Sequence, residues 1–80
     1  MIVPDRETIE RLREQFPVGA RVSLDRMDDL QAPPIGTCGT VRGVDDIGSI
    51  MVAWDNGGTL NVVFGEDSCH IITEGENTDV

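Results

Sequence analysis

The sequence contains no lysine and no tyrosine, and it has only one tryptophan, one histidine and two cysteines. Without lysine, a phosphate-binding loop ending in Gly-Lys-Ser/Thr cannot form. One tryptophan and two phenylalanines are too few for an aromatic groove that grips proline-rich peptides. No apolar run approaches the ~20 residues that span a bilayer. We therefore expect a soluble, non-enzymatic domain with no cofactor and no membrane contact.

Positive charge is also scarce, because fifteen acidic residues accompany six arginines, for a formal net charge of −9. A negative field repels phosphate backbones, so direct nucleic-acid binding is disfavoured and a basic protein partner is favoured. Two alternatives stay open: a barrel associated with nucleic acid, and an acidic inhibitor that mimics nucleic acid. The N-terminal residues lack the apolar segment of a secretory signal, which predicts a cytoplasmic location.

The first seventeen residues predict a short amphipathic helix over residues 5–15 that packs on the rest of the domain. Pro4 and Asp5 suit a helix N-terminus. Ile9, Leu12 and Phe16 recur at helical spacing, and the proline that follows Phe16 ends the helix. A helix this short is marginal alone, so its apolar face needs a partner surface.

Residues 18–73 predict five short strands, at about 20–27, 37–44, 49–54, 59–64 and 69–73, with Gly and Asn/Asp at the turns. The glycines of the second strand indicate a bulge or a close backbone approach. The order of a long loop, tight hairpins and one helical turn favours an SH3-like barrel over an OB-fold. Residues 74–80 form a flexible acidic tail in this interpretation. The predicted core comprises Val22, Leu24, Val41, Ile50, Val52, Trp54, Leu60, Val62 and Ile71.

The candidates for a metal site or a disulfide are Cys38, Cys69 and His70. The close pairs typical of zinc sites are absent, and a disulfide requires adjoining strands and an oxidising compartment. The aspartates lack the spacing of a calcium-binding EF-hand loop. We expect two small, partly buried thiols, a surface histidine, and neither a metal nor a catalytic site.

Five segments carry a resemblance to a known family: FPVGARV at residues 16–22, MDDLQAPP at 27–34, GTCGTV at 36–41, GVDDIG at 43–48 and VAWDNG at 52–57. In these motifs the sequence resembles a family of small bacterial domains of unknown function, which also occurs in phage and conjugative-element proteins. The resemblance implies a barrel preceded by a helix. It implies no catalytic residues, and an interaction module of a bacterial or mobile-element protein is the function it suggests.

The candidate partner surface is the irregular loop at residues 27–35, whose two prolines limit its freedom. It combines apolar and acidic side chains, which suits a basic, partly apolar partner. Met51, on the second face of the third strand, would extend this patch or form the contact of a weak homodimer; otherwise the domain is a monomer. The alternative is that the loop covers one end of the barrel and buries Leu30 and Ile35. The candidate residues are Met27, Asp28, Asp29, Leu30, Gln31 and Met51.

Overall fold

A computed structural model describes residues 4–72, so the predicted acidic tail at 74–80 lies outside the described residues. One helix precedes five strands. They are α1 (Arg6–Gln15), β1 (Arg21–Arg26), β2 (Cys38–Val44), β3 (Ser49–Trp54), β4 (Val62–Val63) and β5 (Ser68–Ile71). The prediction of a mainly β domain with an N-terminal helix is confirmed.

Helix α1 begins where the sequence predicts, because Asp5 caps it. The Asp5 carboxylate accepts a hydrogen bond from the Thr8 N–H at 2.9 Å, and this bond lowers the pKa of Asp5. Ile9, Leu12 and Phe16 are buried. At the other end, Arg13 donates from Nε and Nη2 to the Val44 carbonyl at 3.2 and 3.1 Å. This contact fixes the helix to the end of β2.

All five strands belong to one antiparallel sheet in the order β4-β3-β2-β1-β5. The last strand therefore lies beside the first. Within residues 4–72 no hydrogen-bonded ladder joins β4 to β5, so this sheet is not closed by backbone pairing. Strand β4 is also shorter than the predicted 59–64, because the Leu60 carbonyl accepts the Trp54 indole N–H at 2.8 Å instead of extending the ladder.

The core lies between α1 and one face of the sheet. Seven of the nine predicted core residues are buried, while Leu60 and Ile71 are half-buried and pack against that core. Strand β3 follows the predicted alternation, with Ile50, Val52 and Trp54 inside and Met51 and Ala53 half-exposed. Alternation in sequence thus determined which side chains face the solvent.

Candidate functional site

The 27–35 loop is anchored at its base and exposed at its tip. Met27 is buried in the core, and Ala32 packs against it. Leu30 is fully exposed and Ile35 is 62% exposed, so the alternative in which these two residues cover the barrel end is wrong. Met27 and Ala32 are the loop residues that contact the core.

Hydrogen bonds within the loop hold its conformation. The Asp29 carboxylate accepts from the Gln31 N–H at 2.8 Å, and the Asp29 carbonyl accepts from the Ala32 N–H at 3.0 Å. The Thr37 hydroxyl donates to the Pro34 carbonyl at 2.6 Å. The loop therefore presents Leu30 beside two carboxylates with a largely fixed backbone.

Two separate parts of the chain contribute four acidic residues to the lining of one cavity of about 260 Å³, which we call the acidic groove. Asp28 and Asp29 come from the loop, and Glu66 and Asp67 come from the turn before β5. Among the described residues the nearest basic group to these carboxylates is Arg26, whose Nη2 lies 4.0 Å from Asp28 Oδ2. The remaining lining residues are Met27, Ser49, Leu60, Asn61 and Val63.

The turn that supplies Glu66 and Asp67 is fixed by its own hydrogen bonds. The Val63 carbonyl accepts from the N–H groups of Glu66 and Asp67 at 3.0 and 2.9 Å. One carboxylate oxygen of Asp67 accepts the Val63 N–H at 2.9 Å. The sequence predicted a helical turn here but not its place beside the 27–35 loop.

Met51 does not join the acidic groove. It lies on the outer face of β3 in a neighbouring cavity of about 320 Å³, the Arg42 pocket, which is lined by Arg42, Met51, Val52, Ala53, Thr59 and Asn61. Asn61 lines both cavities, which are therefore neighbours. Leu30 and Gln31 line neither. Of the six predicted partner-binding residues, the structure brings together Met27, Asp28 and Asp29.

The two cysteines and the histidine occupy unrelated positions. Cys38 lies opposite Ser23 and Cys69 opposite Leu24, so β1 separates the two thiols and they lie on opposite faces of the sheet. The disulfide alternative is therefore wrong for this fold. Burial, assisted by the charge of Asp25, raises the pKa of the Cys69 thiol to about 11, which keeps it protonated. His70 is exposed and its Nδ1 lies 2.9 Å from Asp25 Oδ1.

Other site types find little support in residues 4–72. This part of the chain contains no group of three or more His, Cys, Asp or Glu side chains arranged to hold a metal ion. It also contains no helix with the length and apolar character needed to span a membrane. Two further cavities lie beside α1, one of about 510 Å³ next to Arg6 and Arg13 and one of about 250 Å³ next to Phe16 and Phe64. The acidic groove is the cavity that contains the predicted loop residues Met27, Asp28 and Asp29.

Comparison with curated proteins returns no match. Residues 5–72, in contrast, match a family described as a domain of unknown function, DUF4314. The matched region contains α1, all five strands, the acidic groove and the Arg42 pocket. The chain belongs to the DUF4314 family.

Proposed function

We propose that this domain is a non-enzymatic protein-interaction module that binds a basic, partly apolar segment of a partner protein in the acidic groove. One observation carries the proposal. The 27–35 loop and the turn before β5 contribute four acidic residues to a cavity that Met27, Leu60 and Val63 also line. A cationic side chain with an aliphatic stem matches both features of that surface.

The energetics favour a short segment over an isolated charge. An exposed ion pair contributes only about 0–1 kcal/mol, so a single contact would bind weakly. The charge of four acidic residues adds to apolar contact with Met27, Leu60 and Val63, which line the same groove. Because internal hydrogen bonds already hold the loop, little conformational entropy is lost when a partner docks.

A nucleic-acid partner fits this surface poorly. Five of the six arginines lie within 4.0 Å of a carboxylate, which leaves no basic patch for phosphates among the described residues. They are Arg6, Arg11, Arg13, Arg21 and Arg26. The acidic residues of the groove line a concave surface, which favours capture of a protein segment over imitation of a nucleic-acid backbone.

We also infer an SH3-like arrangement for the fold, supported by the strand order β4-β3-β2-β1-β5 and the turn between β4 and β5. A cytoplasmic setting agrees with the separated thiols of Cys38 and Cys69. The resemblance to phage and conjugative-element domains suggests that the partner belongs to a bacterium or its mobile elements.

The test compares proteins retained by the wild-type domain with those retained by Asp28→Asn/Asp29→Asn, identified by quantitative mass spectrometry of extracts from the source cell. Asparagine keeps an oxygen that can accept the Gln31 N–H, so the loop should stay folded. The matched control is Glu10→Gln/Glu14→Gln, which removes the same charge from the exposed face of α1. We expect partners to be lost from the loop variant alone. Equal retention by all three proteins would contradict the proposal.

A further inference from the structure

Arg42 differs from the other arginines in its pairing and in its backbone. It makes no ion pair and no side-chain hydrogen bond within residues 4–72, whereas every other arginine pairs with a carboxylate. It also lies in a β-bulge, since Val41 pairs with Val52 and Gly43 with Met51, which leaves Arg42 as the extra residue of β2. Bulges re-aim side chains and recur beside functional sites.

The bulge depends on Gly43, whose φ is +155°. A Cβ at this position would lie 3.1 Å from the Met51 Cε, so glycine also allows Met51 to lie close to the β2 backbone. Met51 and Ala53 contribute apolar side chains to the lining of the pocket, and Arg42 lines it as well. The pocket therefore joins a guanidinium to an apolar surface.

The edge of β3 beside the pocket extends past the ladder with β4. Val41 exchanges hydrogen bonds with Gly19 and Ala20, so its pair with Val52 is of the non-hydrogen-bonded kind and the N–H and C=O of Val52 point away from β2. On that side the ladder with β4 stops at Ile50 and Val62. Val52, which lines the pocket, therefore lies beyond the end of that ladder.

We propose that the Arg42 pocket binds an acidic side chain, with a neighbouring apolar residue, from the same partner segment whose basic part occupies the acidic groove. The assignment rests on the proposed function and deepens it by giving the segment a direction. A guanidinium recognises a carboxylate through paired N–H donors, while Met51 and Ala53 accept the apolar residue. The Thr59 hydroxyl and the Asn61 amide add polar groups at the rim.

The proximity of the two cavities supports a single bound segment. Asn61 lines both, so the cavity of Asp28 and Glu66 and the cavity of Arg42 are neighbours on the surface. The electrostatic pattern along the path changes from negative to positive. A segment that is basic at one end and acidic at the other matches this pattern, and the reversed segment places like charges together.

The test is an NMR titration of ¹⁵N-labelled domain with two capped peptides, acetyl-Leu-Gly-Glu-amide and acetyl-Leu-Gly-Gln-amide. We expect the Glu peptide to give saturable shifts centred on Arg42, Met51 and Asn61. The Gln peptide should bind about tenfold more weakly, because one charge-assisted hydrogen bond is lost. The Arg42→Gln substitution should lower the affinity for the Glu peptide by a similar factor. The control Arg11→Gln, which removes a charge from α1, should leave its affinity unchanged.

Neither peptide carries a cation, so the result does not depend on the acidic groove. Asp28→Asn/Asp29→Asn should still bind the Glu peptide if the Arg42 pocket is a carboxylate site, even if the groove has no basic ligand. Equal affinities for the Glu and Gln peptides would overturn the proposal. So would wild-type affinity in a folded Arg42→Gln variant, or shifts confined to residues outside the pocket.

Discussion

Arg21 and Asp55 form a two-point ion pair between the start of β1 and the turn that follows β3. Arg21 Nη1 lies 2.9 Å from Asp55 Oδ1, and Nη2 lies 2.6 Å from Oδ2. Arg21 also donates to the Thr40 hydroxyl at 3.0 Å, so its guanidinium crosses β2 on the way. This pair ties three strands together on the outer face of the sheet.

The pair predicts a defined dependence of stability on pH. The hydrogen bond from Arg21 lowers the pKa of Asp55 from its ordinary value of 3.8. A lowered pKa in the folded state stabilises the fold above the ordinary pKa, and this stabilisation is lost as pH falls through the folded value. We expect wild type to exceed Asp55→Asn in free energy of unfolding at pH 7, and the gap to narrow below about pH 4. Urea unfolding of both proteins across pH 3–7 measures this difference in free energy of unfolding. A difference that stays constant with pH would contradict the stabilising role of the Arg21–Asp55 pair.

Trp54 should be the most costly single truncation in the core. Its ring is 3% exposed, and its indole N–H holds the chain after β3 through the Leu60 carbonyl at 2.8 Å. We expect Trp54→Ala to lower the free energy of unfolding by about 3–5 kcal/mol, which is much of the stability of a domain this small. Trp54→Phe keeps part of the packing and loses the hydrogen bond, so it should cost less. Thermal unfolding checks the order; a wild-type melting temperature for Trp54→Ala contradicts the packing described.

Gly39 should tolerate no side chain, because β3 approaches it closely. A Cβ there would lie 2.6 Å from Val52 Cγ1 and 2.9 Å from both the Ala53 carbonyl oxygen and Trp54 Cε3. We expect Gly39→Ala to destabilise the domain by about 1–3 kcal/mol or more through overpacking. The control is Gly58→Ala, where the nearest atom is the side-chain oxygen of Asn56 at 3.3 Å. Equal unfolding free energies for the two variants would refute the close contact.

The thiols should contribute no covalent or metal linkage to the fold. Cys38 and Cys69 lie on opposite faces of the sheet with β1 between them. Cys38→Ser/Cys69→Ser should therefore remain cooperatively folded, and reductant or chelator should not change the wild-type melt. Stoichiometric zinc in protein purified without added metal would show that this expectation is wrong.

Local pattern predicted much of the fold. Pro4 and Asp5 predicted the start of α1 to within a residue, and alternation in β3 predicted which side chains are buried. Glycines in β2 indicated the bulge and close approach that occur at Gly43 and Gly39. These features depend on neighbours in sequence, so the sequence alone carries them.

The candidate site was harder to predict because it depends on distant pairs. Asp28 and Glu66 line the same cavity although 38 positions separate them in the chain, and no periodicity relates them. The short β4 follows from the Trp54 indole bond to Leu60, a tertiary contact that propensity does not encode. Gly43 indicated a bulge but not that Arg42 would be left without a carboxylate partner in the described structure. These features could be recognised only from the three-dimensional structure.

The most direct test of the central claim is an NMR titration of the ¹⁵N-labelled domain with the capped basic peptide acetyl-Leu-Arg-Leu-Arg-amide. If the acidic groove binds a basic, partly apolar segment, saturable shifts appear at residues 27–30 and 60–67, and added salt weakens them. The exposed acids Glu7, Glu10 and Glu14 of α1 serve as the internal control. Shifts spread equally over α1 and the groove, or no saturable shift in the groove, would contradict the account.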